Sequence, residues 1–180
     1  MHGLLFCQLE QFVSETHGRG VWAAMLGRAG LPGQVFAADQ AYDDADMLRL
    51  LDTAVQLLDT PAEALQETFG VYLAPQLLQL HQDLIRPGWR TLDVLLNAES
   101  LIHGAVRRRD PLAHPPQLLI LQIGENRLQL NYRSSRELVA TARGIIKGLG
   151  QHFGETVLIT ERLNADRSHQ MIIEVQPAAA

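Results

Sequence analysis

The spacing of apolar residues changes once along this 180-residue chain, near residue 108. Up to that point they recur every three or four positions, as in the runs at 4–13 and 21–26, and this period predicts helices. The segment TPAE at 60–63 predicts a helix start, with Thr60 as the cap and Pro61 in the first position. A further helix is predicted over 91–108, and His103 lies on or beside its apolar stripe.

After HPP at 114–116 the pattern indicates strands. LLILQI and RLQLNYR are separated by GEN, whose Gly124 and Asn126 can turn the chain, so they predict a hairpin. SSRELVATARGIIKGLGQHF predicts a long helix, and TVLITERL with SHQMIIEV predicts a second hairpin. The predicted fold class is therefore α+β: a helical N-terminal part and an antiparallel sheet part covered by one long helix, in a single domain over 1–180.

Composition and charge narrow the classes of function. Hydrophobic residues make up 47% of the chain, which is enough for a core, and 15 basic against 20 acidic residues argue against nucleic acid as a partner. No apolar run reaches the ~18 residues needed to span a bilayer, and the start MHGLLFCQLEQF lacks the features of a signal peptide. We therefore expect a cytoplasmic protein with no membrane partner. The single cysteine, Cys7, cannot form an internal disulfide or a multi-cysteine metal site.

His103 is the histidine with the most unusual setting, because it falls inside a strongly apolar helix. Such a histidine is more often a core residue satisfied by one hydrogen bond than a metal ligand, and Glu99, four residues earlier, is a ready local partner. Zinc would need three or four protein ligands, and no second candidate follows at helical spacing. Haem iron differs, because the macrocycle supplies four nitrogens and the protein need supply only one imidazole.

The stretch NYRSSREL at 131–138 places Tyr132, Ser134 and Arg136 two positions apart. In an extended strand their side chains would share one face, where two hydroxyls and a guanidinium could hold the carboxylates of a haem. The alternative is a strand end running into a helix, with Ser134 or Ser135 as the N-cap. Both can hold at once, since donors at a helix start suit an anion.

Together these residues resemble those of the H-NOX family, the haem-nitric oxide/oxygen binding domains related to the sensor domain of soluble guanylate cyclase. The resemblance rests on His103 in LLNAESLIHGAV, on Pro116 thirteen positions later, and on the YxSxR motif that begins sixteen positions beyond it. The segments MHGLLFCQLEQFV, YDDADMLRLLDTA, AEALQETFGVYL and KGLGQHFGE are also similar to family segments, so that the resemblance covers nearly the whole chain.

The resemblance implies a haem b between a distal helical part, approximately 1–60, and the remaining helices and sheet at 61–180. His103 takes the place of the proximal iron ligand. Tyr132, Ser134 and Arg136 take the places of the residues that hold the haem propionates. Pro116 and Leu5 stand where the family contacts and distorts the porphyrin.

The distal positions bear on which gas is bound. Oxygen-binding members place a tyrosine five residues after the motif arginine, where this chain has Thr141, and supporting Trp and Asn positions correspond to Leu9 and Leu73. An apolar distal face withholds the hydrogen bond that bound oxygen needs, whereas nitric oxide loses little by its absence. The hydroxyl of Thr141 remains as a shorter donor.

The function implied is a ferrous haem sensor that binds nitric oxide, with carbon monoxide as a second candidate, and binds oxygen poorly or not at all. Release of His103 would signal to a separate protein such as a histidine kinase or a diguanylate cyclase. The alternatives are a sensor of redox or haem state and a haem-free module that binds a ligand or a protein. We expect no enzyme activity, because no GxSxG motif accompanies Ser134 or Ser135.

Overall fold

Helices cover one face of a four-stranded sheet in the computed structural model, which describes residues 1–109, 113–136 and 138–177. The N-terminal helices are α1 (Gly3–Thr16), α2 (Arg19–Arg28), α3 (Asp44–Leu58) and α4 (Ala62–Leu80). After a 3₁₀ turn at Gln82–Leu84 come α5 (Thr91–Asn97), a π-helix at Ala98–His103, α6 (Gly104–Arg109) and, beyond the first two strands, α7 (Val139–Phe153). Apart from the short 3₁₀ turn, each of these described helices lies in a segment whose apolar residues recur every three or four positions.

The sheet is antiparallel and has the strand order β1-β2-β4-β3. Its strands are β1 (Gln117–Gly124), β2 (Arg127–Arg133), β3 (Glu155–Leu163) and β4 (His169–Pro177). Both predicted hairpins are confirmed, since β1 pairs with β2 and β3 pairs with β4, and β2 joins β4 in the centre. Alternate residues of the central strands, such as Leu128, Leu130, Met171 and Ile173, are buried on the face that carries the helices. The α+β fold class is therefore confirmed.

Two predicted N-caps are wrong, although TPAE does begin a helix. Helix α4 has Pro61 as its N-cap, while the Thr60 hydroxyl donates to the Leu58 carbonyl at 3.1 Å and so belongs to the turn that ends α3. Helix α7 begins at Val139, which is too late for Ser134 or Ser135 to cap it. In both places a hydroxyl satisfies a nearby turn instead of the helix start.

The chain has one hydrophobic cluster in its N-terminal helices and another between the helices and the sheet. The N-terminal cluster includes Phe6, Leu9, Met25 and Leu50, and the sheet cluster includes Leu78, Val94, Leu128 and Met171. Helix α4 reaches both, because Leu73 belongs to the N-terminal cluster and Ala74 to the sheet cluster. None of the described helices is long and apolar enough to cross a membrane.

Helices α4 and α7 cross at glycines, which lets their backbones touch. A Cβ added to Gly144 would lie 2.0 Å from the Glu67 carbonyl oxygen, and one added to Gly70 would lie 2.2 Å from the Thr141 carbonyl oxygen. These are distances that no side chain tolerates. The crossing holds Thr141 against α4 and links the two clusters.

Candidate functional site

His103 is the last residue of the π-helix that interrupts the predicted helix over 91–108. Its side chain is 19% exposed, and Nδ1 lies 3.1 Å from Oε2 of Glu99. In the tautomer that donates the Nδ1 proton to Glu99, Nε2 is the nitrogen suited to a metal. Burial lowers the pKa of His103, and this outweighs the hydrogen bond and charge of Glu99, which raise it. Burial therefore favours the neutral imidazole, the form that ligates iron.

Glu99 makes more contacts than the sequence indicated. Besides meeting His103, Oε2 accepts a hydrogen bond from the backbone nitrogen of Leu118 at 3.1 Å, and Oε1 accepts one from Arg107. Burial raises the pKa of Glu99, but the hydrogen bonds from Arg107, His103 and Leu118 outweigh burial and lower it. An ionised carboxylate thus joins the histidine-bearing helix to strand β1. The contact with Leu118 spans 19 positions and has no local sequence signal.

Pro116 and Leu5 are half-buried. The backbone of Pro116 is within hydrogen-bonding reach of the His103 ring, where it raises the pKa of the histidine. Leu5 lies on α1 and packs against the N-terminal cluster. The structure therefore places the backbone of Pro116 beside the ring of His103.

The YxSxR residues come together through a turn, because the strand ends too early for the alternation that the sequence predicted. Tyr132 lies in β2, which ends at Arg133, whereas Ser134 and Arg136 follow the strand. The backbone nitrogen of Arg136 donates to Ser134 Oγ at 3.1 Å. Burial raises the pKa of Tyr132, although a hydrogen bond with Ser134 and the charge of Arg136 lower it. The phenol stays protonated, and all three residues offer donors in one place.

Arg136 has partners that the sequence analysis did not identify. Its Nε donates to Oδ2 of Asp44 at 2.6 Å, and one terminal nitrogen donates to the His114 carbonyl at 2.7 Å. The other carboxylate oxygen of Asp44 lies 2.9 Å from the ammonium group of Met1. Asp44 belongs to the segment YDDADMLRLLDTA, which resembles a family segment but gave no sign of this pairing. The motif arginine therefore ties the sheet part to the N-terminus and to the start of α3.

The predicted distal residues are buried. Leu9 and Leu73 are 0% and 1% exposed and belong to the same cluster, and Thr141 on α7 is 8% exposed. The hydroxyl oxygen of Thr141 has no hydrogen-bond partner within the parts of the chain that the structure describes. A buried hydroxyl without a partner is uncommon and is expected where a bound group supplies one.

These side chains fit a haem. A neutral imidazole suits its iron, hydroxyl and guanidinium donors suit its carboxylates, and buried leucines suit its apolar edges. In the described ranges, no group of three or more His, Cys, Asp or Glu is placed to hold a metal ion.

The comparisons with known proteins agree with this class of site. Residues 2–161 match the model of the Haem-NO-binding family, and the chain belongs to that family. An H-NOX protein from Shewanella oneidensis in the Fe(II) state, a triple mutant, is 23% identical with a TM-score of 0.91, covering 99% of this chain and 98% of its own.

The same organism's H-NOX protein in the Fe(II)NO state is 23% identical with a TM-score of 0.90, over 98% of this chain and 99% of that one. The Fe(II) unliganded H-NOX protein from K. algicida is 20% identical with a TM-score of 0.87, over 100% of this chain and 99% of that one. At these identities the likeness shows the fold. The search among curated proteins finds no match.

Proposed function

We propose that this chain binds haem b through His103 and acts as a sensor of nitric oxide, not as an enzyme. The observation that carries the proposal is the half-buried imidazole of His103, hydrogen-bonded at Nδ1 to Glu99 in a member of the Haem-NO-binding family. Its second nitrogen suits iron, and a haem needs only this one protein ligand.

The propionates would be held by the turn that follows β2. Tyr132 and Ser134 supply hydroxyls, and one terminal nitrogen of Arg136 makes no hydrogen bond within the described residues, beyond those to Asp44 and His114. A guanidinium already fixed by two protein acceptors loses little conformational freedom when it binds a carboxylate. Because Asp44 is one of those acceptors, the same arginine would connect the haem to α3.

Selectivity for nitric oxide would come from the distal residues. Leu9 and Leu73 have no donors, and the Thr141 hydroxyl is shorter than the tyrosine of oxygen-binding members. A ligand that needs a strong hydrogen bond is therefore disfavoured, while nitric oxide and carbon monoxide are not. Structures of the Shewanella oneidensis H-NOX protein with NO and with CO ligation support these two gases as candidates.

Bound haem would supply a gas-binding ferrous iron, and His103 would be the residue of this chain that holds it. The chain's part would be the release of His103, which ends the π-helix and is tied to β1 through Glu99. A bond that is present in one state and absent in the other biases two arrangements of the helix against the sheet. The output would pass to a separate signalling protein, with a histidine kinase or a diguanylate cyclase as the candidates.

The first test is the absorption spectrum of the purified protein, reduced and supplied with haem. A Soret band is expected, and its absence would overturn the proposal. His103→Gly should lose haem in plain buffer and regain it with imidazole, whereas His17→Gly, at an exposed position after α1, should retain haem. Unchanged retention by His103→Gly without imidazole would show that another residue ligates the iron.

Selectivity is tested by exposing the ferrous protein to each gas. Nitric oxide should give a stable nitrosyl spectrum, and air should give no persistent oxygen complex. A stable oxygen spectrum would refute the selectivity but not the haem site. Co-purification with a histidine kinase or a diguanylate cyclase would identify the partner.

A further inference from the structure

Glu99 contacts His103, the proposed iron ligand, and can therefore influence that ligand without binding iron itself. It lies in the π-helix with His103, and its carboxylate meets the imidazole, the backbone of Leu118 and the guanidinium of Arg107. We propose that Glu99 is a positioning residue that fixes the ring of His103 and strengthens its bond to iron, and that Arg107 opposes this effect. The proposal rests on the proposed function, because it concerns an iron–histidine bond.

The orientation of the carboxylate follows from its contacts. Oε2 is shared by Nδ1 of His103 and the backbone nitrogen of Leu118, each at 3.1 Å. The Leu118 amide belongs to strand β1 and cannot move independently of the sheet. Glu99 is therefore held at a fixed place, and the ring that bonds to it is held as well. With Nδ1 protonated and bonded, Nε2 carries the lone pair.

The electronic effect follows from charge. A carboxylate that accepts the Nδ1 hydrogen bond makes an imidazole a more basic metal ligand. Arg107 binds the other oxygen, Oε1, and draws negative charge away from Oε2. Removing the carboxylate's charge should therefore weaken the bond from iron to His103, while removing the guanidinium should strengthen it.

The test is resonance Raman spectroscopy of the iron–histidine stretch in the ferrous, haem-loaded full chain. Glu99→Gln keeps the shape and an acceptor for Leu118 but removes the charge, so the stretching frequency should fall. Arg107→Met alters a side chain that is 40% exposed, and the frequency should rise. Ser100→Ala, at an exposed position in the same π-helix, is the matched control and should leave the frequency unchanged.

A second measurement is haem loss to an excess of a haem-scavenging apoprotein. Glu99→Gln should lose haem about 10-fold faster, as expected for loss of a group that supports a metal ligand. Shifts of both variants in the same direction would indicate structural damage, and that result or an unchanged frequency in Glu99→Gln overturns the inference. Should Glu99→Gln not fold, the upward shift in Arg107→Met decides alone. A wild-type protein without a Soret band would instead overturn the proposed function.

Discussion

The close crossing of α4 and α7 should fail when one glycine at the contact gains a methyl group. A Cβ on Gly144 would lie 2.0 Å from the carbonyl oxygen of Glu67 and 2.9 Å from the Cα of Gly70. Both are backbone atoms, so no rotation of a side chain relieves the overlap. The helices must separate by about 1 Å before that contact reaches the 3.0 Å below which real Cβ atoms are essentially never found.

The expected loss can be estimated from two opposing effects. Overpacking destabilises by about 1–3 kcal/mol, and the upper end applies here because backbone must move. Alanine is better than glycine in a helix by about 1 kcal/mol, which offsets part of this. The net loss in the free energy of unfolding is then about 2 kcal/mol, or about 4–8 °C in Tm for a chain of this size.

The assay is urea and thermal unfolding of Gly144→Ala and wild type, compared at the same haem loading because bound ligand adds stability. Gly27→Ala in α2 is the matched control. Outside its own helical turn, no described atom lies within 4 Å of its added Cβ, so it should stabilise by up to about 1 kcal/mol. A Gly144→Ala protein as stable as wild type would refute the close crossing.

The surroundings of Asp44, Glu67 and Thr141 lead to three further predictions. Asp44→Asn weakens the carboxylate's pairing with the motif arginine and the N-terminal ammonium, and should lower the free energy of unfolding by about 1 kcal/mol in urea. Burial raises the pKa of Glu67, but hydrogen bonds from Lys147 and Arg143 outweigh burial and lower it. On acidification the unfolded chain therefore takes up this proton first, so stability should fall below about pH 5, and Glu67→Gln should make that fall shallower. Thr141→Val removes a buried hydroxyl that has no partner among the described residues, and it should raise the stability of the haem-free protein by about 1 kcal/mol.

For each of these three predictions, a different outcome would contradict the reasoning. Unchanged stability in Asp44→Asn would mean that the pairing contributes nothing in solution. A pH profile of Glu67→Gln that parallels the wild type would assign the acid sensitivity to other carboxyls. A loss of stability in Thr141→Val would show that the hydroxyl is hydrogen-bonded after all.

The helices and hairpins could be predicted because their signals are local. The apolar period of three or four and the turn residues Gly124 and Asn126 depend on neighbours along the chain, and the structure has helices and strands in those segments. The N-caps predicted at Thr60 and at Ser134 or Ser135 were wrong, because a hydroxyl can satisfy either a helix start or an adjacent turn. The π-helix that ends at His103 had no signal in the period either.

The candidate site likewise has features that the sequence indicated and features that only tertiary contacts reveal. The resemblance of the segments around His103, Pro116 and the YxSxR motif to the H-NOX family pointed to the family that the match over residues 2–161 then showed. The sequence by itself thus determined the fold class and the family, and the roles of these residues stay predictions. Tertiary structure alone decided that Arg136 meets Asp44 and that Glu99 meets Leu118, 92 and 19 positions away. Those pairs form because packing brings distant charges and donors together, and no local pattern encodes that approach.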